Sequence, residues 1–100
     1  MSTIPYITHI QFAVLNLLRS DSWVSATGVR KGLAAYGDTR KGPAFYQLMR
    51  RLQVDGMLDA ERNAFSLGGG EPVYRTYYRS TVKGVQCCQE TMDFYNQFRV

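Results

Sequence analysis

The sequence predicts a mainly α-helical fold with a small β-hairpin, and three observations carry that reading. Apolar residues recur at helical spacing in four separate stretches. One stretch, 73–79, is instead dense in β-formers (Val73, Tyr74, Thr76, Tyr77, Tyr78), and it follows a loop containing Gly68, Gly69 and Gly70. No internal repeat, low-complexity tract or linker breaks the chain, so its 100 residues at 45% hydrophobic read as one small fold with a modest core.

The elements follow in order. Between 6 and 19, Ile7, Ile10, Val14, Leu17 and Leu18 keep helical spacing, while Phe12, Ala13 and Leu15 occupy other sides. A helix apolar nearly all round is buried on more than one face. Asp21-Ser22 turns the chain, Trp23-Val24 is a short extended piece able to pair with the hairpin, and Trp23 is expected in the core. Ser25 is a good N-cap for a second helix running to about Tyr36, with Val29 and Leu33 inward and Gly28 and Gly32 weakening it.

The third helix lies within GPAFYQLMRRLQVDG. Pro43 suits the first helical position, so Gly42 caps it, and Asp55-Gly56 ends it with a left-handed turn. At about 100° per residue, Phe45, Leu48, Met49 and Leu52 fall on one side. Gln47, Arg50 and Arg51 fall opposite, with Tyr46 on the flank. A strand starts at Met57, a loop spans 66–72, and the second strand completes the hairpin. Thr81 then caps a long helix ending near Phe98, with one stripe of Val85, Cys88, Met92 and Tyr95 and another of Cys87, Phe94 and Phe98.

Net charge is +4, and its distribution is uneven. The segment 29–51 holds six cations against one anion, Asp38, while the rest has six cations and seven anions. Such a concentration suits a polyanion, because neutralising phosphates releases counterions. No apolar run reaches the ~18 residues of a membrane helix, and no basic region precedes an apolar run as in a signal peptide. The expected compartment is the cytoplasm. Adjacent Cys87 and Cys88 do not form a disulfide framework and read as packed thiols. His9 is the one histidine, without ligand partners at metal spacing or an acid–base partner, so neither a metal, a cofactor nor an enzyme activity is expected.

Three helices, a hairpin and a closing helix make the winged helix-turn-helix order, with the third helix as recognition helix and the hairpin as wing. GPAFYQLMRRLQVDGML followed by VYRTYYRSTVKG resembles the PadR-type transcriptional regulators, in a short form with a single C-terminal helix. Tyr46, Arg51, Leu52, Gly56, Leu58, Tyr77, Tyr78, Arg79, Thr81 and Gly84 carry the resemblance, which spans roughly 14–84. It implies a homodimeric DNA-binding regulator, usually a repressor, paired through the last helix. The expected division is 1–80 for DNA binding and 81–100 for dimerisation. The wing tip carries Glu71 rather than a cation.

Tyr46, Gln47 and Arg50 are the candidate base-reading residues, since Arg suits guanine and Gln adenine. Thr39, Arg40 and Lys41 precede the third helix, where cations oppose its dipole but favour a phosphate. Arg30 and Lys31 on the second helix reach toward the backbone. Arg51 either joins them or pairs with Asp55. Arg62 and Arg75 flank the wing and contact either DNA or Glu61 and Glu71. Ile7, Ile10, Val85, Cys88, Met92 and Tyr95 are the expected dimer contacts, since the last helix carries more apolar surface than one small domain covers. Aromatic groups between paired helices would suit a small planar effector. The competing reading from another class is a winged-helix adaptor that uses the same surface on an acidic protein and does not read DNA.

Overall fold

The structure, a computed structural model, describes residues 7–66 and 68–98. Its elements are α1 (His9–Leu17), β1 (Val24–Ser25), α2 (Ala26–Ala35), α3 (Pro43–Val54), β2 (Leu58–Phe65), β3 (Val73–Ser80) and α4 (Val82–Asn96). The strands form one antiparallel sheet in the order β1-β3-β2. Helices and wing therefore come in the predicted order, and Trp23-Val24 leads into the strand that pairs with the hairpin.

Local chemistry explains most boundaries. The first helix starts at His9 because Thr8 and Gln11 form a reciprocal capping box: Gln11 N donates to Thr8 Oγ1 at 3.2 Å, and Thr8 N donates to Gln11 Oε1 at 3.0 Å. The expected start at Tyr6 lies outside the described residues, and the end falls at Leu17 rather than Arg19. Ser25 caps α2 by accepting from Gly28 N at 3.0 Å. Pro43 opens α3 behind Gly42, and Gly56 follows it at φ 77°. Thr81 caps α4, which ends at Asn96, short of Phe98.

One core joins these elements. Val14, Leu15 and Leu18 of the α1 end meet Val29 and Leu33 of α2, the whole apolar stripe of α3, Leu58, Tyr78 and Cys88. Burying a side chain of this size stabilises by about 1.5–3 kcal/mol, so the four α3 residues Phe45, Leu48, Met49 and Leu52 are central to stability. Gly32 has a packing role beyond weakening its helix. A Cβ there would lie 2.8 Å from the Leu17 side chain, so glycine lets α2 lie close on α1.

Two expectations are corrected. Trp23 is 37% exposed rather than core, because it lies on the outer side of the sheet with the Arg79 guanidinium 4.6 Å from its ring centre. Cys88 is 1% exposed within its own chain, so it has no surface to give a partner. The buried line of α4 is Gly84, Cys88 and Thr91, a stripe that apolar spacing alone does not reveal.

Candidate nucleic-acid interface

The helix α3 presents two chemistries on two sides. Its apolar side is sealed in the core, while Tyr46, Gln47, Arg50 and Arg51 are exposed on the opposite arc. Tyr46 is held without being hidden: it is 47% exposed and its ring stands edge-on to buried Phe45 at 5.3 Å.

The second helix extends this surface. Arg30, Lys31, Thr39, Arg40 and Lys41, with Thr27 and Ala34, border a concavity of about 290 Å³ on the outside of the α2–α3 turn. Four of the six cations in segment 29–51 thus gather in one depression. Arg40 is already engaged: its Nε donates to Asp38 Oδ1 at 3.0 Å and Oδ2 at 3.2 Å, and its backbone N donates to Oδ1 at 3.1 Å. These bonds hold the Asp38 carboxyl below the ordinary carboxylate pKa. Asp38 was the segment's one anion, so Arg40 offers less free charge than its neighbours.

The strand register sorts the wing. Cross-strand partners share a face, and Arg62 pairs with Thr76, Ala64 with Tyr74, and Ala60 with Tyr78. Because Tyr78 is buried against the helices, Arg62, Tyr74 and Thr76 stand on the α3 side of the sheet. Arg75 pairs with Asn63 on the outer face, beside Phe65 and Val73. Each wing arginine stacks on a ring of its own face: Arg62 lies 4.5 Å over Tyr74, and Arg75 lies 5.8 Å over Phe65. Among the described residues the ion pairs are Arg40–Asp38 and Arg79–Asp59, at 3.0 and 4.0 Å. The alternatives pairing Arg51 with Asp55, or the wing arginines with Glu61 and Glu71, are therefore not realised.

At the other end, α4 keeps an apolar surface uncovered. Val85 is 43%, Tyr95 46% and Phe98 65% exposed. Ile7, Ile10 and Met92 instead lean on the core, half-buried. His9 at the start of α1 stacks on Tyr95 at 6.4 Å between ring centres, which brings the α1 start and the α4 end into one surface. That surface lies on elements other than α3 and the wing. Among the described residues no helix is long and apolar enough to cross a membrane.

This arrangement defines a winged helix-turn-helix protein: three helices with a capped, outward-dressed third, and a two-stranded wing braced by β1. Comparison with solved structures narrows the class. A PadR-family transcriptional regulator from Eggerthella lenta is 31% identical at a TM-score of 0.67, over 88% of this chain and 72% of that one. A PadR-like transcriptional regulator from Bacillus cereus shares the fold at a TM-score of 0.67 and 22% identity, over 88% of this chain and 82% of that one. No family model matches the sequence, and no curated protein matches it. The chain belongs to the PadR family of transcriptional regulators.

Proposed function

We propose that the protein is a homodimeric, sequence-specific double-stranded-DNA-binding regulator, acting as a repressor by occupying its operator. The observation that carries this reading is the exposed arc of Tyr46, Gln47, Arg50 and Arg51 on a helix whose other side is sealed in the core. A helix fits the major groove, where Arg50 would address guanine O6 and N7 and Gln47 adenine N6 and N7. Lys31, Lys41 and Arg30 beside the α2–α3 turn would neutralise phosphates, and Arg62 would do so from the wing. The Arg75 guanidinium lies over Phe65 on the outer face, so Arg75 is not included.

Pairing rests on the uncovered surface of Val85, Tyr95 and Phe98. A second copy would bury it and set two α3 helices about 34 Å apart, one DNA turn. The division of labour, 1–80 on DNA and 81–100 on the partner, would then operate over one shared core. The proposal needs no effector.

Selection of bound duplexes from a random pool tests the reading. It should return two related half-sites about one helical turn apart. Arg50→Ala should weaken binding by about 1–3 kcal/mol and relax the preference at one base pair. Sequence-specific binding untouched by substitution of Tyr46, Gln47 and Arg50 would overturn it.

A further inference from the structure

Between the wing and the helices lies a cleft of about 390 Å³, floored by the start of α2 and walled by Tyr46 on one side and β3 on the other. Ser25, Thr27, Tyr46, Tyr74 and Thr76 line it together with Arg30 and Arg75, so five hydroxyl-bearing residues and two arginines border it. Arg30 is pre-positioned: one of its terminal nitrogens donates to Thr27 Oγ1 at 3.4 Å, and its guanidinium sits 5.7 Å from the centre of the Phe45 ring. Arg62 stands on the same sheet face as Tyr74 and Thr76, stacked on Tyr74. Neither arginine has a carboxylate within ion-pair distance among the described residues.

A cleft with the Arg30 guanidinium in its lining, Arg62 beside it on Tyr74, no opposing acid and several hydroxyls complements a phosphate group. A guanidinium donates to two oxygens at once, and hydroxyls donate to the remaining ones. The cleft adjoins Tyr46, the wing-side residue of the arc proposed to read bases. A backbone strand leaving the groove under α3 would therefore pass it on the way to the wing.

We propose that this cleft seats one phosphodiester group of the bound duplex, gripped by Arg30, Thr27 and Thr76 and closed by Arg62 stacked on Tyr74. The proposal rests on the DNA-binding reading above and adds to it a fixed anchor that sets where α3 sits in the groove. It also separates two arginines that composition treats alike. Arg75 borders the cleft, yet its guanidinium lies over Phe65 on the outer face.

The test uses the full chain and a duplex recovered by selection, with single phosphates replaced in turn by neutral methylphosphonate. One position should weaken wild-type binding by about tenfold. Arg62→Met and Thr27→Val should each weaken the unmodified duplex and remove most of that positional penalty. Arg62→Met should also lower the salt slope by about one. Arg75→Met, which removes the same charge from the other face, should leave the positional penalty intact. Equal effects of Arg62→Met and Arg75→Met, or a penalty that survives Arg62→Met, would overturn the seat while leaving DNA binding standing. Failure of the wild type to bind any duplex would overturn the functional reading and the seat together. Inorganic phosphate at matched ionic strength should not release the duplex better than chloride does. Preferential release would assign the cleft to a free anion and also overturn the proposal.

Discussion

The Thr81 hydroxyl donates to the Gly56 carbonyl oxygen at 2.6 Å, which ties the end of α3 to the start of α4. Thr81 Oγ1 also accepts from Gly84 N at 3.1 Å, so one side chain caps α4 and grips the turn after α3. Lys83 Nζ adds a bond to the Asp55 carbonyl at 2.7 Å, and Thr81 N donates to Met57 O at 3.0 Å. Three bonds thus join the turn after the helix proposed to read DNA to the helix proposed to pair, across 24–28 residues of chain. A shift of α4 in the dimer would be felt at α3.

Gly84 is the tightest point of this joint, since a Cβ there would run into the Met57 carbonyl oxygen. Alanine ordinarily gains about 1 kcal/mol over glycine inside a helix. Here the sign should reverse, with Gly84→Ala costing roughly 1–3 kcal/mol because backbone must move aside. Thermal unfolding checks this, with a fall of about 4–8 °C expected per kcal/mol in a domain this size. A melting temperature equal to or above the wild type's would show that the approach is not needed.

Asp38 restrains the basic surface. Its bonds to Arg40 keep it ionised well into acid, so across neutral pH the pair is constant. The lowered pKa means that the pair's contribution to stability is present above the ordinary carboxylate range and is lost as pH falls through the folded-state value. Exposure keeps that contribution small. The effect on a polyanion is larger: Asp38→Asn frees Arg40 and should strengthen duplex binding about 2–5-fold at low salt, with the difference fading as salt rises. Anisotropy titrations at two salt concentrations measure it, and unchanged or weaker binding would refute it.

Much of this was legible in the chain. Ser25, the Gly42-Pro43 start, Gly56 and Thr81 each announce a boundary through local backbone chemistry, and the Phe45–Leu48–Met49–Leu52 stripe announces the buried side of α3. Long-range register was not legible. Arg62 and Arg75 look equivalent in sequence, and only their pairing with Thr76 and Asn63 puts them on opposite faces. The buried line of α4 escaped for another reason: Gly84 and Thr91 do not count as apolar, yet Gly84 is needed for close approach and Thr91 satisfies its hydroxyl on Cys87 O at 2.7 Å. Trp23 misled because a large aromatic favours the core, whereas stacking on Arg79 holds it at the surface.

The adjacent cysteines should behave as packing groups. Burial raises both thiol pKa values, with smaller contributions from neighbouring side chains. At neutral pH both remain protonated and weakly nucleophilic. A disulfide-exchange reagent should modify half-buried Cys87 slowly and Cys88 only after denaturant is added. Rapid release of two equivalents from the native protein would contradict this packing.

Tyr78 sets an alkaline limit on the fold. It is 2% exposed, with its ring edge-on to Phe45 at 6.5 Å, and burial raises its phenol pKa, with a smaller contribution from Tyr46. A folded-state pKa above the unfolded value of about 10 gives stability that is complete below that pH. The stability is lost as pH climbs toward and through the folded value, because the unfolded chain releases its proton first. Lysines titrate in the same range, so the informative quantity is the difference from Tyr78→Phe, which keeps the ring and removes the proton. Melting temperatures followed from pH 8 to about 11 should fall more steeply for the wild type than for the variant once pH passes about 10. Parallel curves would mean that the phenol reaches water when ionised, and that the Phe45–Tyr78 contact between α3 and the wing is looser than its geometry implies.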